Sequence, residues 1–252
     1  VATTGVVVAA GFGSGTGTLG GTLTANTTAG IATFTNLSIA GASGSYTLRF
    51  TSGALTAVTS NTITLAAGTA ARLVVVTEPS ASAQNAVAFA QQPTVQVRDA
   101  AGNPVAGVVP VTAAIATGGG ALGGTVTVNT NGTGLATFTN LAITGTVGAR
   151  TLAFSSGALT PDTSTAVTVT AGVATQIAIN AGNGQSAAVN TAVATPPSAI
   201  VRDVSNNPVA GVSVSFAVAS GGGSILPVTP VVRNASGIAA LTSWTMGTVA
   251  GT

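Results

Sequence analysis

One eleven-residue phrase occurs twice with little change: "VRDAAGNPVAG" at Val97–Gly107 and "VRDVSNNPVAG" at Val201–Gly211, which sets Arg98 and Arg202 104 residues apart. The same interval separates "IATFTNLSI" (Ile31–Ile39) from "LATFTNLAI" (Leu135–Ile143), and "TSGALT" (Thr51–Thr56) from "SSGALT" (Ser155–Thr160). A fixed long period restricts the chain to a series of similar units, each with its own core and in contact mainly with its neighbours. The third copy repeats the start of the second, with "VRD", "NPVAG" and then Gly221–Gly223 where the second has Gly118–Gly120. The frame predicts one complete unit over 67–171, the C-terminal part of a unit over 1–66 and the N-terminal part of another over 172–252. Two periods of 104 leave 44 of the 252 residues, so the end pieces together exceed one unit by that amount. The surplus favours a fragment of a longer array over a unit split cleanly between neighbouring chains by strand donation.

Composition selects what each unit is made of. Threonine, valine, alanine and 34 glycines dominate, with 10 prolines and no lysine, a mixture that disfavours helix and suits short strands joined by tight turns. The complete copy contains seven runs rich in β-branched residues: Arg72–Val76, Thr94–Arg98, Val109–Ala116, Gly124–Val128, Leu135–Leu141, Arg150–Phe154 and Thr165–Thr170. Turn signals such as "GNP", "TGGG", "NTNGTG" and "SSGALTPD" separate them. Seven alternating strands in roughly 100 residues describe an immunoglobulin-like β-sandwich, and tandem copies describe a rod. Strand parity places Val95 and Val97 on one face and Gln96 and Arg98 on the other, which predicts outward-facing Arg98 and Arg202. Ala136 and Phe138 share a parity, and Phe138 and its counterpart Phe34 are predicted as core plugs.

The inventory of reactive groups is short. The chain has no His and no Cys, and its acids are Glu78, Asp99, Asp162 and Asp203. General acid–base catalysis, nucleophilic triads and zinc sites therefore lack their usual residues, and the expectation is a protein that is not an enzyme and has no cofactor or metal. Calcium is the metal that best suits what remains, through Asp99 or Asp203 with Asn103 or Asn207, but such a site usually gathers several carboxylates. The favoured reading makes Asp99, Asn103 and Pro104, and again Asp203, Asn207 and Pro208, structural turn residues: the aspartates accept amide hydrogen bonds and the prolines fix φ. The Gly-rich triplets read as sandwich loops, since no helix signal and no Lys follow them to make a phosphate cradle. Trp244, the sole Trp, reads as core packing ahead of a ligand platform.

Six Arg against four acids give a net charge of +2 without a basic cluster, so nucleic acid is not an expected partner. Mean hydropathy is high at +0.62, yet no run approaches the roughly 18 apolar residues that a spanning helix needs. The start, "VATTGVVVAAGFG", lacks the basic opening of a signal peptide, so any targeting signal is expected to lie outside this chain. Without Cys or Lys, neither a disulfide nor a Lys–Asn isopeptide bond can staple the fold. A chain only 4% charged and 46% hydrophobic is expected to self-associate.

The order "VRDAAGNPVAGVVPVTAAIATGGGAL" then "NGTGLATF", and in the third copy "VRDVSNNPVAGVSVSFAVASGGGSI" then "NASGIAALTSWTMGTVAGT", resembles the group 1 bacterial Ig-like domains of intimin- and invasin-type surface proteins. The "W..G..AG" ending is present in the third copy, and "TNLAITGTVGARTLAF" replaces it in the second. The resemblance implies an extracellular or cell-surface location and a filament, stalk or adhesin built from tandem units. The partners it implies are neighbouring repeats or further copies in a fibre. The alternative expectation is a binding module whose exposed loops recognise a host or matrix glycan or protein.

Overall fold

The computed structural model describes residues 3–249, and among them every regular element is a β-strand. Among the described residues no helix is long and apolar enough to cross a membrane, which says nothing of a β-barrel.

The central stretch forms two facing layers. One sheet runs, in spatial order, Ser82–Gln84, Val167–Thr170, Gly148–Ser155, Pro110–Thr117 and Thr127–Asn129, with Asp162–Thr163 also on Gly148–Ser155. The other runs Leu135–Thr137, Thr94–Asp99 and Ala70–Thr77. Alternation drives the pairing: Val111 and Ala113, Leu152 and Phe154, and Val167 and Val169 point inward from the first sheet, where successive residues take opposite faces. They meet Leu73, Val95, Val97 and Ala136 from the second sheet in one core cluster. Phe138 and Phe154 fill its centre, with ring centroids 5.5 Å apart and a 49° tilt.

Five of the seven runs seen in the sequence are strands at their centres, Gly124–Val128 is shifted to a strand at Thr127–Asn129, and four short strands escaped notice: Ser82–Gln84, Ala121–Gly123, Ala142–Thr144 and Asp162–Thr163. The run expected over Leu135–Leu141 ends as a strand at Thr137. Beyond it Phe138 and Leu141 both turn into the core, which breaks the alternation, and Asn140 Oδ1 accepts the Thr125 amide at 2.7 Å to fix the bend.

The same pairings recur on either side of the centre. In the first copy Val7–Ser14 pairs with Gly44–Thr51, and Gly17–Gly20 with Ser38–Gly41, as Pro110–Thr117 pairs with Gly148–Ser155 and Ala121–Gly123 with Ala142–Thr144. In the third, Gln176–Ala181, Ser198–Arg202 and Ile238–Ala240 form one sheet, in the order of the second sheet of the central stretch. Phe34 does stack on Phe50, centroids 5.4 Å apart, but it is half-buried, unlike Phe138. Leu135–Thr137 pairs with Thr94–Asp99, and its counterpart Ile31–Ala32 pairs with Thr24–Thr28.

Candidate inter-repeat junction

The duplicated phrase "VRD…NP" builds a turn, and that turn grips the preceding copy. Asp99 ends its strand and folds the next residues back onto itself. Its Oδ1 accepts the Asn103 amide at 2.7 Å, its Oδ2 accepts Asn103 Nδ2 at 2.9 Å, and its own N–H donates to the Asn103 carbonyl. Asp203 does the same with Asn207, at 2.9 Å for both carboxylate contacts. The residue before each asparagine has positive φ, Gly102 at 92° and Asn206 at 63°. Gly and Asn are the residues that adopt this conformation most readily, which is why "AAGN" and "VSNN" make one turn from different letters. Pro104 and Pro208 are exposed and sit bridged to Arg98 and Arg202, where the chain needs no amide donor.

What the sequence did not reveal is where the asparagine side chains point. Asn103 Oδ1 accepts the Ser43 amide at 2.8 Å and its Nδ2 donates to the Gly41 carbonyl at 3.2 Å. Asn207 repeats this on the Val147 amide and the Gly145 carbonyl, both at 2.9 Å. Each amide thus closes a two-bond ring with the backbone of a loop in the preceding copy. Each aspartate adds the connecting segment, with Oδ2 accepting the Gly68 amide at 2.8 Å and the Gly172 amide at 2.7 Å. The second junction has one further member: Asn85, which accepts the Gly145 amide and donates to Asp203 Oδ2 and Ser205 Oγ, each at 2.9 Å.

All five side chains are buried, Asp203 to 0% and Asn207 to 3% exposure, so their polar atoms need partners inside the protein. Asn103 holds the Asp99 carboxyl down at about 2, with the Gly68 amide assisting. For Asp203 burial pushes upward, but the donors from Asn207, Gly172 and Asn85 outweigh it and the carboxyl also lies at about 2. Carboxylates saturated by N–H donors are arranged to bind amides rather than a cation, and among the described residues no three of His, Cys, Asp and Glu gather. The carboxylates and amides of each turn are thus spent on one another, on the connecting segment and on the loop of the preceding copy.

The loop being gripped has a brace of its own. Arg150 points inward on the parity of Leu152 and Phe154, and its guanidinium donates from Nε to the Gly119 carbonyl at 2.8 Å and from Nη2 to the Thr146 carbonyl at 2.7 Å. Its counterpart in the first copy is Tyr46, whose hydroxyl donates to the carbonyls of Thr16 at 3.0 Å and Ala42 at 2.6 Å. Both tie a Gly-rich turn to the loop that an asparagine then holds. The glycines make room for them: a Cβ on Gly118 would lie 2.5 Å from Arg150 Cδ, and one on Gly15 would lie 2.3 Å from Tyr46 Cδ1.

Two expectations change here. Arg98 and Arg202 are half-buried rather than solvent-facing, because the turn folds back over that face and Arg98 Nη1 bonds the Gly102 carbonyl at 2.8 Å. Gln96, on the same parity, is buried and donates to the Thr133 and Val97 carbonyls. Trp244 is half-buried beside a cleft of about 300 Å³ with Phe216, Ile225 and Leu241, and its Nε1 has no hydrogen-bond partner among the described residues.

Solved structures similar to this chain include the D0–D1 domain of intimin, at 17% identity over 67% of this chain and 83% of that one, with a TM-score of 0.29. The D00–D0 domain of intimin matches at 20% identity over 50% and 64% respectively, with a TM-score of 0.34. Surface layer protein SbsC, domains 1–6, matches at 17% identity over 82% of this chain and 27% of its own length, with a TM-score of 0.27. These superpositions are too loose to transfer a residue or a role. No family model and no curated protein matches the chain.

Proposed function

We propose that this chain is a structural, non-catalytic segment of a bacterial extracellular filament, stalk or surface adhesin, built from tandem Ig-like sandwiches of about 104 residues of which 67–171 is complete. The observation that carries this reading is the clamp. Both Asp–Asn turns spend their buried polar groups on the copy before them and on the connection between copies. Side chains used in this way set the spacing and relative orientation of successive units, which is the task of a scaffold.

A glycan-binding module is less well supplied, because sugar platforms use exposed aromatic faces and Tyr46 is buried with its hydroxyl committed. The test of the scaffold reading is location and form. Antibodies raised against this chain should label continuous fibres or rods on intact, unpermeabilised source cells in the electron microscope. Labelling that requires permeabilisation would overturn the proposal.

A further inference from the structure

In the central stretch the segment that leads in and the segment that leads out run side by side in the same direction. Five contacts join them, each between residues 87 positions apart. Leu73 N–H donates to the Thr160 carbonyl at 2.9 Å, the Val75 amide to Asp162 Oδ2 at 2.8 Å and the Thr165 amide to Glu78 Oε2 at 2.9 Å. Further on, the Thr168 amide donates to the Ala81 carbonyl at 2.9 Å and Thr170 Oγ1 to the Ala83 carbonyl at 3.4 Å. The constant interval means one unslipped parallel register. Arg72 and Thr160 form a parallel bridge at one end, and Ser82–Gln84 pairs in parallel with Val167–Thr170 at the other.

The contact is continuous although its backbone ladder is not. Between Thr77 and Ser82 the incoming chain leaves one sheet for the other. Around that crossing the carboxylates of Asp162 and Glu78 stand in for backbone carbonyls as acceptors, and Glu78 Oε2 also accepts Thr165 Oγ1 at 3.1 Å. The chain has four acids. Asp99 and Asp203 hold the joints between copies, and the other two hold the entry of the central stretch to its exit.

We infer that this contact is a tension-bearing latch, which makes the chain a load-bearing element rather than a spacer alone. The chain enters the central stretch at Ala70, close to Thr160, and leaves it after Thr170, beside Asn85, whose N–H donates to the Thr170 carbonyl at 2.9 Å. A pull on the two ends of the stretch therefore draws the two segments in opposite directions along their common axis. Bonds between parallel strands are evenly spaced along the pair, so such a load is shared among them and they must break together. A pull across the pair would open them one at a time. The latch also meets the joint: Asn85 and Gly172 both donate to Asp203 Oδ2, so tension passes from the exit segment into the next copy at that carboxylate.

The inference rests on the scaffold reading only for its biological use, and its test measures the latch itself. The chain has no Cys, so handles for optical tweezers can be attached to pairs of introduced thiols in the full chain. Thr69→Cys with Val173→Cys loads the latch along its axis. Arg72→Cys with Thr160→Cys pulls across it at one end, and Ser82→Cys with Thr168→Cys pulls across it near the other, so one crosswise chain remains if the other disturbs folding. All six positions are exposed. Forced unfolding follows the unfolding rate, so at one pulling speed the axial pull should need at least about twice the force of a crosswise pull. Glu78→Ala with Asp162→Ala should lower the axial force by removing two of the five contacts. An axial force no higher than the crosswise one, or one indifferent to the loss of both acids, would overturn the inference and leave the surface-labelling test of the scaffold untouched.

Discussion

Replacing Asn207 with Ala removes three hydrogen bonds from a side chain that is 3% exposed: those to the Val147 amide, the Gly145 carbonyl and Asp203 Oδ2. The first two cross between copies. The third is local to the turn, and Asp203 keeps the amides of Gly172, Ser205 and Asn207 and the side chain of Asn85. At about 0.5–1.5 kcal/mol net for each neutral bond, the coupling across the junction should fall by about 1–3 kcal/mol. That corresponds to roughly a 5- to 150-fold rise in the open fraction of the junction. Amide hydrogen exchange followed by NMR on the full chain reads this directly, since the Val147 N–H is bound by Asn207. Its exchange should accelerate by that factor. The Leu152 N–H, bonded to Ser164 Oγ within the same copy, should keep its rate. Unchanged protection at Val147 would refute the clamp. Equal acceleration at Leu152 would refute its separation from the core of the copy.

Acid should loosen the same joints. Both aspartates sit at about 2, below the ordinary 3.8. Their contribution is therefore full above about pH 4 and is lost as the pH falls toward 2, where a protonated carboxyl no longer serves its amide donors as well. Protection of the Gly68 and Gly172 amides should drop across that window, and a profile flat from pH 4 to pH 2 would count against the assignment. In the core, Phe138→Ala should cost its copy about 3–5 kcal/mol. The half-buried Phe34 should cost less than half as much when truncated, because most of the area it would lose is already wet. Exchange rates of strand amides in the two copies compare the pair, and equal losses would contradict the different burial of the two rings.

Much of this was readable before any coordinates, and the limit of that reading is physical. Periodicity, parity and turn chemistry are local, so the strands around Val95, Val111 and Phe154 and the Asp99 and Asp203 turns follow from residues a few positions apart. The partners of Asn103 and Asn207 lie 60 and 62 residues upstream, and no local pattern announces a side chain that leaves its own copy. Arg150 and Tyr46 were hidden for a different reason. They occupy one position and reach the same two carbonyl-bearing loops, yet a guanidinium and a phenol share no sequence signature, only the ability to donate from the end of a long, largely buried stem. Parity failed for Arg98 because it describes an isolated strand, whereas the turn after Asp99 covers the strand's outer face. The recurring phrase "VRD…NPVAG" thus serves the joint between copies. A core accepts many apolar letters, as Phe138 and Leu241 show: both are buried, and their amides bond the carbonyls of the equivalent Pro93 and Pro197. A ring of two hydrogen bonds closed on a neighbour's backbone needs a donor and an acceptor on one short planar group, which among side chains of that length asparagine supplies.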